Sequence, residues 1–212
     1  MTAQKITLWG NGSLRVLRVH WALLELGLDY RHEPIQARSG ETQTAAYTAI
    51  NPKQKIPFLQ DGNLAISESA AIVQYLFRQY GDGDAVYLPK TPAEEALSDE
   101  WCFFVMTEFD AHTLYVMRRH QYLSDIYGEA PDAVASAGEY FQKQMLASAG
   151  KVALADPYLF GDKIGVADIL LTSCIEWALR YGQDLDTRYL EYFARTRIRP
   201  AYVDALSRNK VS

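Results

Sequence analysis

At 212 residues, 49% of them apolar and with a formal charge of -5, the chain can bury one large core or two smaller ones without covalent staples. Lys and Arg are scattered, which excludes the basic patch that nucleic acid requires, and no apolar run approaches the roughly 20 residues of a membrane span. Cys102 and Cys174 sit in apolar stretches and argue against a disulfide framework and against a zinc site; with no signal-peptide layout in its first residues, a cytoplasmic protein without a metal is expected.

Lys5 to Trp9 alternates apolar with polar residues, and Gly10-Asn11-Gly12 breaks the run before Ser13, a helix-capping residue. The next segment puts Arg15, Arg18, Ala22 and Glu25 on one stripe, while apolar residues from Val16 to Leu26 cover the rest. That predicts a mostly buried helix, stopped by Gly27. Asp29 to Ile35 can form a second strand, parallel to the first across the helical crossover. Ile56 to Gln60 and Asn63 to Ile66 flank Asp61-Gly62, a hairpin signal. Ser67-Glu68-Ser69 then opens an amphipathic helix from Ala70 to Tyr80, so residues 1–81 read as an α/β domain in the order β-α-β-α-β-β-α. Turn residues and prolines from Gly81 to Pro92 mark the boundary. Helical stretches over 93–123, 131–149, 165–181 and 187–206 make residues 92–212 an all-α domain.

Three local features carry chemistry. The run Asn51-Pro52-Lys53-Gln54-Lys55-Ile56-Pro57-Phe58 places a proline at the start of a strand, the position that tolerates a residue unable to donate to the ladder. A cis Ile56-Pro57 bond would leave the N–H and C=O of Ile56 facing outward for an extended peptide ligand; a trans proline at a strand start is the other reading. At Ser67-Glu68-Ser69 a helix start offers free N–H groups to a carboxylate, while Glu68 can accept from an ammonium. The plain alternative is an ordinary helix cap. Ser13 lies at the carboxyl end of the first strand and at a helix N-terminus, the edge where α/β folds bind ligands. A thiolate docked there would gain about 0.5 to 2 kcal/mol from the helix dipole and roughly 1.5 to 3 from a charge-assisted hydrogen bond, enough to ionise a thiol of pKa about 8.5 at neutral pH. Capping alone would equally explain Ser13.

Together these features resemble the glutathione transferase family, whose thioredoxin-like domain carries an early Ser, Tyr or Cys, an Asn-Pro-x-x-x-hydrophobic-Pro segment with a cis proline, and a Glu-Ser pair opening the next helix. The stretch from Leu8 to Val19 is similar to serine-type, bacterial-like members, with Ser13 five residues before Arg18-Val19. The resemblance implies a thioredoxin-like α/β domain followed by an all-α helical domain, and a homodimer. It also implies that Ile56 pairs through its backbone with the cysteinyl unit of glutathione, that Lys55 reaches the glycyl carboxylate, and that Glu68 with Ser69 holds the γ-glutamyl group. Asn11 is a second candidate for the thiolate donor, as asparagine is in some bacterial relatives. Asp168, in Phe160 to Asp168, looks like the family's capping-box acid and serves folding. Gln54 stands where a glycine is more usual, and Gly165 where Ser or Thr usually caps.

Glutathione is thus expected as co-substrate and a small, hydrophobic electrophile as its partner in a detoxifying conjugation, the helical domain contributing the electrophile pocket. On the helix from about Ala93 to Leu123, Glu108, His112, Tyr115, Arg119 and Tyr122 share one face at helical spacing. His112, Tyr115 and Arg119 are its candidate substrate contacts, and a solvated or subunit-facing stripe is the competing reading. His112 and His120 form no metal-ligand pattern. Two other functions fit the same residues: a glutathione-dependent disulfide reductase, and a non-catalytic interaction protein that keeps the fold.

Overall fold

In the computed structural model, which describes residues 6–211, the strand-forming run after Lys5 makes β1 (Ile6–Asn11), with Ile6 and Leu8 buried and Thr7 and Trp9 half-buried. Lys5, and most of the segment judged to lack a signal peptide, lie outside the described residues. The chain divides into two compact units, Met1–Leu88 with Ile198–Ser212, and Pro89–Arg197.

In the first unit β1 leads into α1 (Leu14–Glu25), which ends where Gly27, at φ 63°, takes the left-handed conformation open to glycine. There follow β2 (Arg31–Gln36), a 3-10 turn, α2 (Ala45–Ile50), β3 (Phe58–Asp61), β4 (Leu64–Ser67) and α3 (Ser69–Tyr80). The sheet order is β2-β1-β3-β4, with β2 parallel to β1 and the other pairs antiparallel. Leu8 faces Leu59 across β1 and β3, and α1 and α3 cover the sheet with Val16, Leu17, Val19, Leu23, Ile72, Val73 and Leu76, all fully buried. The hairpin turns one residue later than its sequence signal, over Gly62-Asn63, because Asp61 pairs with Leu64 as the last rung of the ladder. Its buried carboxylate accepts hydrogen bonds from Tyr75 (2.7 Å) and Tyr80, which fastens Asp61 into the strand. Arg18, expected on a polar stripe, is fully buried.

The second unit is helical: α4 (Pro92–Phe104), a π-helical run Val105–Leu114, α5 (Tyr115–Met117), a second π-helical run Arg118–Tyr122, α6 (Ser124–Tyr127), α7 (Pro131–Ala153), α8 (Val166–Arg180) and α9 (Thr187–Thr196). Thr91 caps α4 by accepting the Glu94 N–H, with Pro92 in the first turn. The one long helix expected over 93–123 is interrupted because the buried Thr113 hydroxyl donates back to the carbonyls of Phe109 (2.6 Å) and Glu108 (3.0 Å). The second of these reaches five residues back and favours a wide turn. α8 runs through the middle of the unit, buried almost continuously from Ala167 to Cys174. Beneath its first turn Asp168 accepts from the N–H groups of Gly165 (2.7 Å) and Leu159 (2.9 Å) and from the Tyr192 hydroxyl, the folding role expected of it.

The stretch expected as a single helix over 187–206 is two. Pro200 disfavours a helical residue before it, Arg199 is extended (φ −61°, ψ 133°), and α10 (Pro200–Arg208) groups with the first unit. There Tyr202 packs edge-on against Trp21 at 4.8 Å, and Arg199 pairs with Glu25, its Nε donating at 3.0 Å. The compact helical unit is Pro89–Arg197.

Candidate functional site

The end of β1 and the turn into α1 need two glycines. Gly10 has φ 129° and Gly12 φ 73°, values that side chains disfavour. A Cβ on Gly10 would lie 2.9 Å from both Ile56 Cβ and Val16 Cγ2, so Gly10 is also what lets this stretch approach Ile56. Beyond it, Ser13 caps α1 and its Oγ accepts the Val16 N–H at 3.2 Å. That bond occupies a lone pair and leaves the hydroxyl hydrogen free to donate, so capping and ligand donation are compatible. Asn11 is buried, its Nδ2 donates to the Lys210 carbonyl at 3.0 Å, and its Oδ1 has no hydrogen-bond partner among the described residues. One of its two amide hydrogens is thus engaged.

The Asn51–Pro57 run is held from beneath. The Tyr47 hydroxyl (2.7 Å) and Asn51 Nδ2 (2.8 Å) both donate to the Lys55 carbonyl, and Asn51 Oδ1 accepts the Lys53 N–H at 3.2 Å. This anchoring leaves the Lys55 side chain exposed and Ile56 just before the ladder, which begins at Phe58. The Ile56-Pro57 bond is cis. Gln54, at φ 54°, is in the left-handed region, which explains why a glycine suits that position; its Nε2 donates to Thr48 Oγ1 at 3.0 Å.

At the start of α3, Glu68 is exposed with φ 74°, and no side chain caps the helix, so the triplet is not an ordinary cap. Strain of this kind in a non-glycine residue, of order 1 to 3 kcal/mol, gathers where a ligand is clamped. Ser69 is buried and its Oγ accepts from Arg18 Nη1 at 3.1 Å. Lys53 Nζ reaches Ser67 Oγ at 3.0 Å, which joins the second feature to the third. The sequence reading assigned no role to Arg18, Tyr47 or Asn51. The Arg18-Val19 pair five residues after Ser13 was the signal that could have found the first.

The candidate contacts in the helical unit lie on a segment whose π-helical turns depart from α spacing. Glu108 accepts from the Tyr140 hydroxyl at 2.6 Å and lies 3.8 Å from Nδ1 of the exposed His112. Tyr115 is half-buried. Arg119 stacks its guanidinium over Tyr127 at 4.5 Å, and Tyr122 stacks on Tyr181 at 3.9 Å. Cys102 and Cys174 are buried.

The first unit therefore brings Ser13, Lys55-Ile56 and Glu68-Ser69 to one edge of a sheet, with lysines, a carboxylate and two helix N-termini. Such a site can take an extended ligand bearing carboxylates and an ammonium, and favours an anion at Ser13. The mixed sheet with its helices is a thioredoxin-like fold, joined to an all-α unit. Residues 4–78 match the family model for the glutathione S-transferase, N-terminal domain. The glutathione S-transferase-like protein gedE of Aspergillus terreus is 30% identical over 198 residues, covering 86% of this chain and 81% of its own length. The theta class glutathione S-transferase from the citrus canker pathogen Xanthomonas axonopodis pv. citri, solved with glutathione bound, shares 30% identity and a TM-score of 0.75, with 99% of each chain covered. A glutathione transferase homolog from Lodderomyces elongisporus, solved with two GSH per subunit, has a TM-score of 0.84 at 21% identity over 95% of this chain and 97% of its own, a likeness of fold. The chain belongs to the glutathione S-transferase family.

Proposed function

We propose that the chain is a glutathione transferase that conjugates the glutathione thiolate to a small hydrophobic electrophile. The observation that carries this reading is the Ser13 hydroxyl at the start of α1, its lone pair engaged by the Val16 N–H and its hydrogen free to donate. Lys55 would meet the glycyl carboxylate, the Ile56 backbone the cysteinyl unit, and Glu68 with Ser69 the γ-glutamyl group, the buried Arg18 adding positive charge behind Ser69. In this reading the thiol proton leaves to solvent and Ser13 stabilises the sulfur anion. The anion then forms a C–S bond as the leaving group departs with its bonding pair. With Cys102 and Cys174 buried, the reacting sulfur belongs to glutathione. Ser13 is favoured over Asn11 because Asn11 is buried and one of its two amide hydrogens already goes to the Lys210 carbonyl.

The reading includes a cytoplasmic homodimer, as the family likeness implies, and His112, Tyr115 and Arg119 as electrophile contacts. Substituting any of these three should raise KM for the electrophile while leaving glutathione affinity unchanged. The test of the function is calorimetric titration of glutathione, followed by turnover of an activated aryl halide and, separately, of a mixed disulfide. Binding with aryl-halide turnover is expected. Binding with turnover of the disulfide alone would make the protein a reductase, and binding without turnover an interaction protein.

A further inference from the structure

The turn that presents Ser13 contains Gly12 at positive φ, directly after the end of β1, and a glycine adds little stiffness of its own. The turn is held instead by the residues that follow α10. The side-chain amide of Asn209 spans the loop: its Oδ1 accepts the Gly12 N–H at 3.0 Å, and its Nδ2 donates to the Ser13 carbonyl at 2.9 Å. The Asn11 amide returns a bond to the Lys210 carbonyl at 3.0 Å. Val211 closes the arrangement, since a Cβ on Gly12 would lie 2.5 Å from Val211 Cγ2. Asn209 is in turn fixed by α10, whose last turn takes its N–H on the Ala205 carbonyl at 3.0 Å and which is pinned to α1 through Tyr202–Trp21 and Arg199–Glu25.

We propose that Asn209 is a positioning residue for the thiolate: by clasping both sides of the Gly12–Ser13 peptide it aims the Ser13 hydroxyl at the sulfur and keeps Asn11 turned to the backbone of Lys210. This rests on the proposed binding of glutathione with its sulfur at Ser13. The cap bond from Val16 fixes the Ser13 oxygen toward the helix and the Ser13 carbonyl also accepts the Leu17 N–H at 2.9 Å, while on the other side the Gly12 N–H is held by Asn209. A displacement of about 1 Å at a reacting group is enough to lower rates by about 10²-fold.

The test compares wild type with Asn209→Leu and the milder Asn209→Ala. The pH midpoint of the ultraviolet thiolate absorbance of bound glutathione is read alongside affinity for S-methylglutathione, which has no thiol to ionise. Both variants should raise the midpoint by about one pH unit, a tenfold loss of thiolate below it. Affinity for S-methylglutathione should stay within about twofold, a negligible free-energy change. An unmoved midpoint with binding retained overturns the proposal, and so does loss of S-methylglutathione binding, which would make Asn209 a support of the whole site. A wild type that binds no glutathione overturns the functional reading itself and the clasp with it.

Discussion

Single residues in this site do two things at once, and substitution separates them. Ser13→Ala removes the cap acceptor for Val16 and should lower stability by about 0.5 to 2 kcal/mol in chemical denaturation, apart from any effect on the thiol. Gly10→Ala should do more harm, because its Cβ would meet Ile56 and Val16 at 2.9 Å in a backbone conformation closed to alanine. A loss of about 1 to 3 kcal/mol and weakened glutathione binding are expected; unchanged calorimetry and an unchanged melting temperature would contradict the close approach. His20 shows how burial sets a pH limit. It is enclosed between Tyr30, whose hydroxyl is 2.7 Å from Nδ1, and His32, which stacks edge-on at 4.5 Å. Burial first, then His32 and Arg208, lower its pKa to about 3. Below pH about 6.5 the unfolded chain binds a proton that the folded chain refuses, so stability held above that pH is lost toward pH 3 at up to about 1.4 kcal/mol per unit. Denaturation between pH 7 and 4 should show this slope, and His20→Phe should flatten it. None of this pairing was legible in the sequence, because His20 on α1 meets His32 on β2 only once α1 packs on β1 and β2 pairs beside it.

Elements were read well where local chemistry decides them and poorly where a distant partner does. The glycine stop of α1, the existence of the hairpin and the start of α3 follow from their own residues, whereas the hairpin's register is set by Asp61 with Tyr75 and Tyr80. The π-helical turns depend on the buried back-bonding of Thr113, which no periodicity announces. The break before α10 was marked by Pro200, yet the apolar pattern running through it masked the signal. At the start of α3, replacing Arg18 with Met should keep the helical packing but remove the guanidinium behind Ser69. Glutathione affinity should fall about tenfold, the equivalent of one charge-assisted hydrogen bond, and an unchanged affinity would remove Arg18 from the γ-glutamyl site. In α8 the fully buried Asp168 gathers two N–H groups and the Tyr192 hydroxyl. Asp168→Ala should leave those donors unsatisfied and cost about 3 kcal/mol or more, read as a lower melting temperature.

At the scale of the molecule, the sequence told an α/β part from an α part because the hydrophobic period changes once, near residue 81. It did not show that Ile198–Ser212 groups with the first unit, since that depends on Tyr202 meeting Trp21 and Asn209 meeting the Gly12–Ser13 peptide. The helical unit should lose stability at alkaline pH. Burial pushes Tyr189 up to about 12 and Tyr192 well above its ordinary value, with Asp168 adding to the latter. Unfolded tyrosines lose their protons near pH 10 while these keep theirs, so the stability present below that pH falls as pH rises, by up to about 1.4 kcal/mol per unit for each. Denaturation midpoints that stay flat from pH 9 to 11 would refute this. The central claim is that the edge built by Ser13, Lys55-Ile56 and Glu68-Ser69 binds glutathione and ionises its thiol. Its most direct test is a pH titration of the ultraviolet thiolate absorbance of glutathione bound to wild type, Ser13→Ala and Asn11→Ala. The account predicts a midpoint lowered by one to about three units from the free thiol in wild type and Asn11→Ala, and returned most of the way in Ser13→Ala. A midpoint unchanged by Ser13→Ala, or no thiolate at neutral pH in wild type, would contradict it.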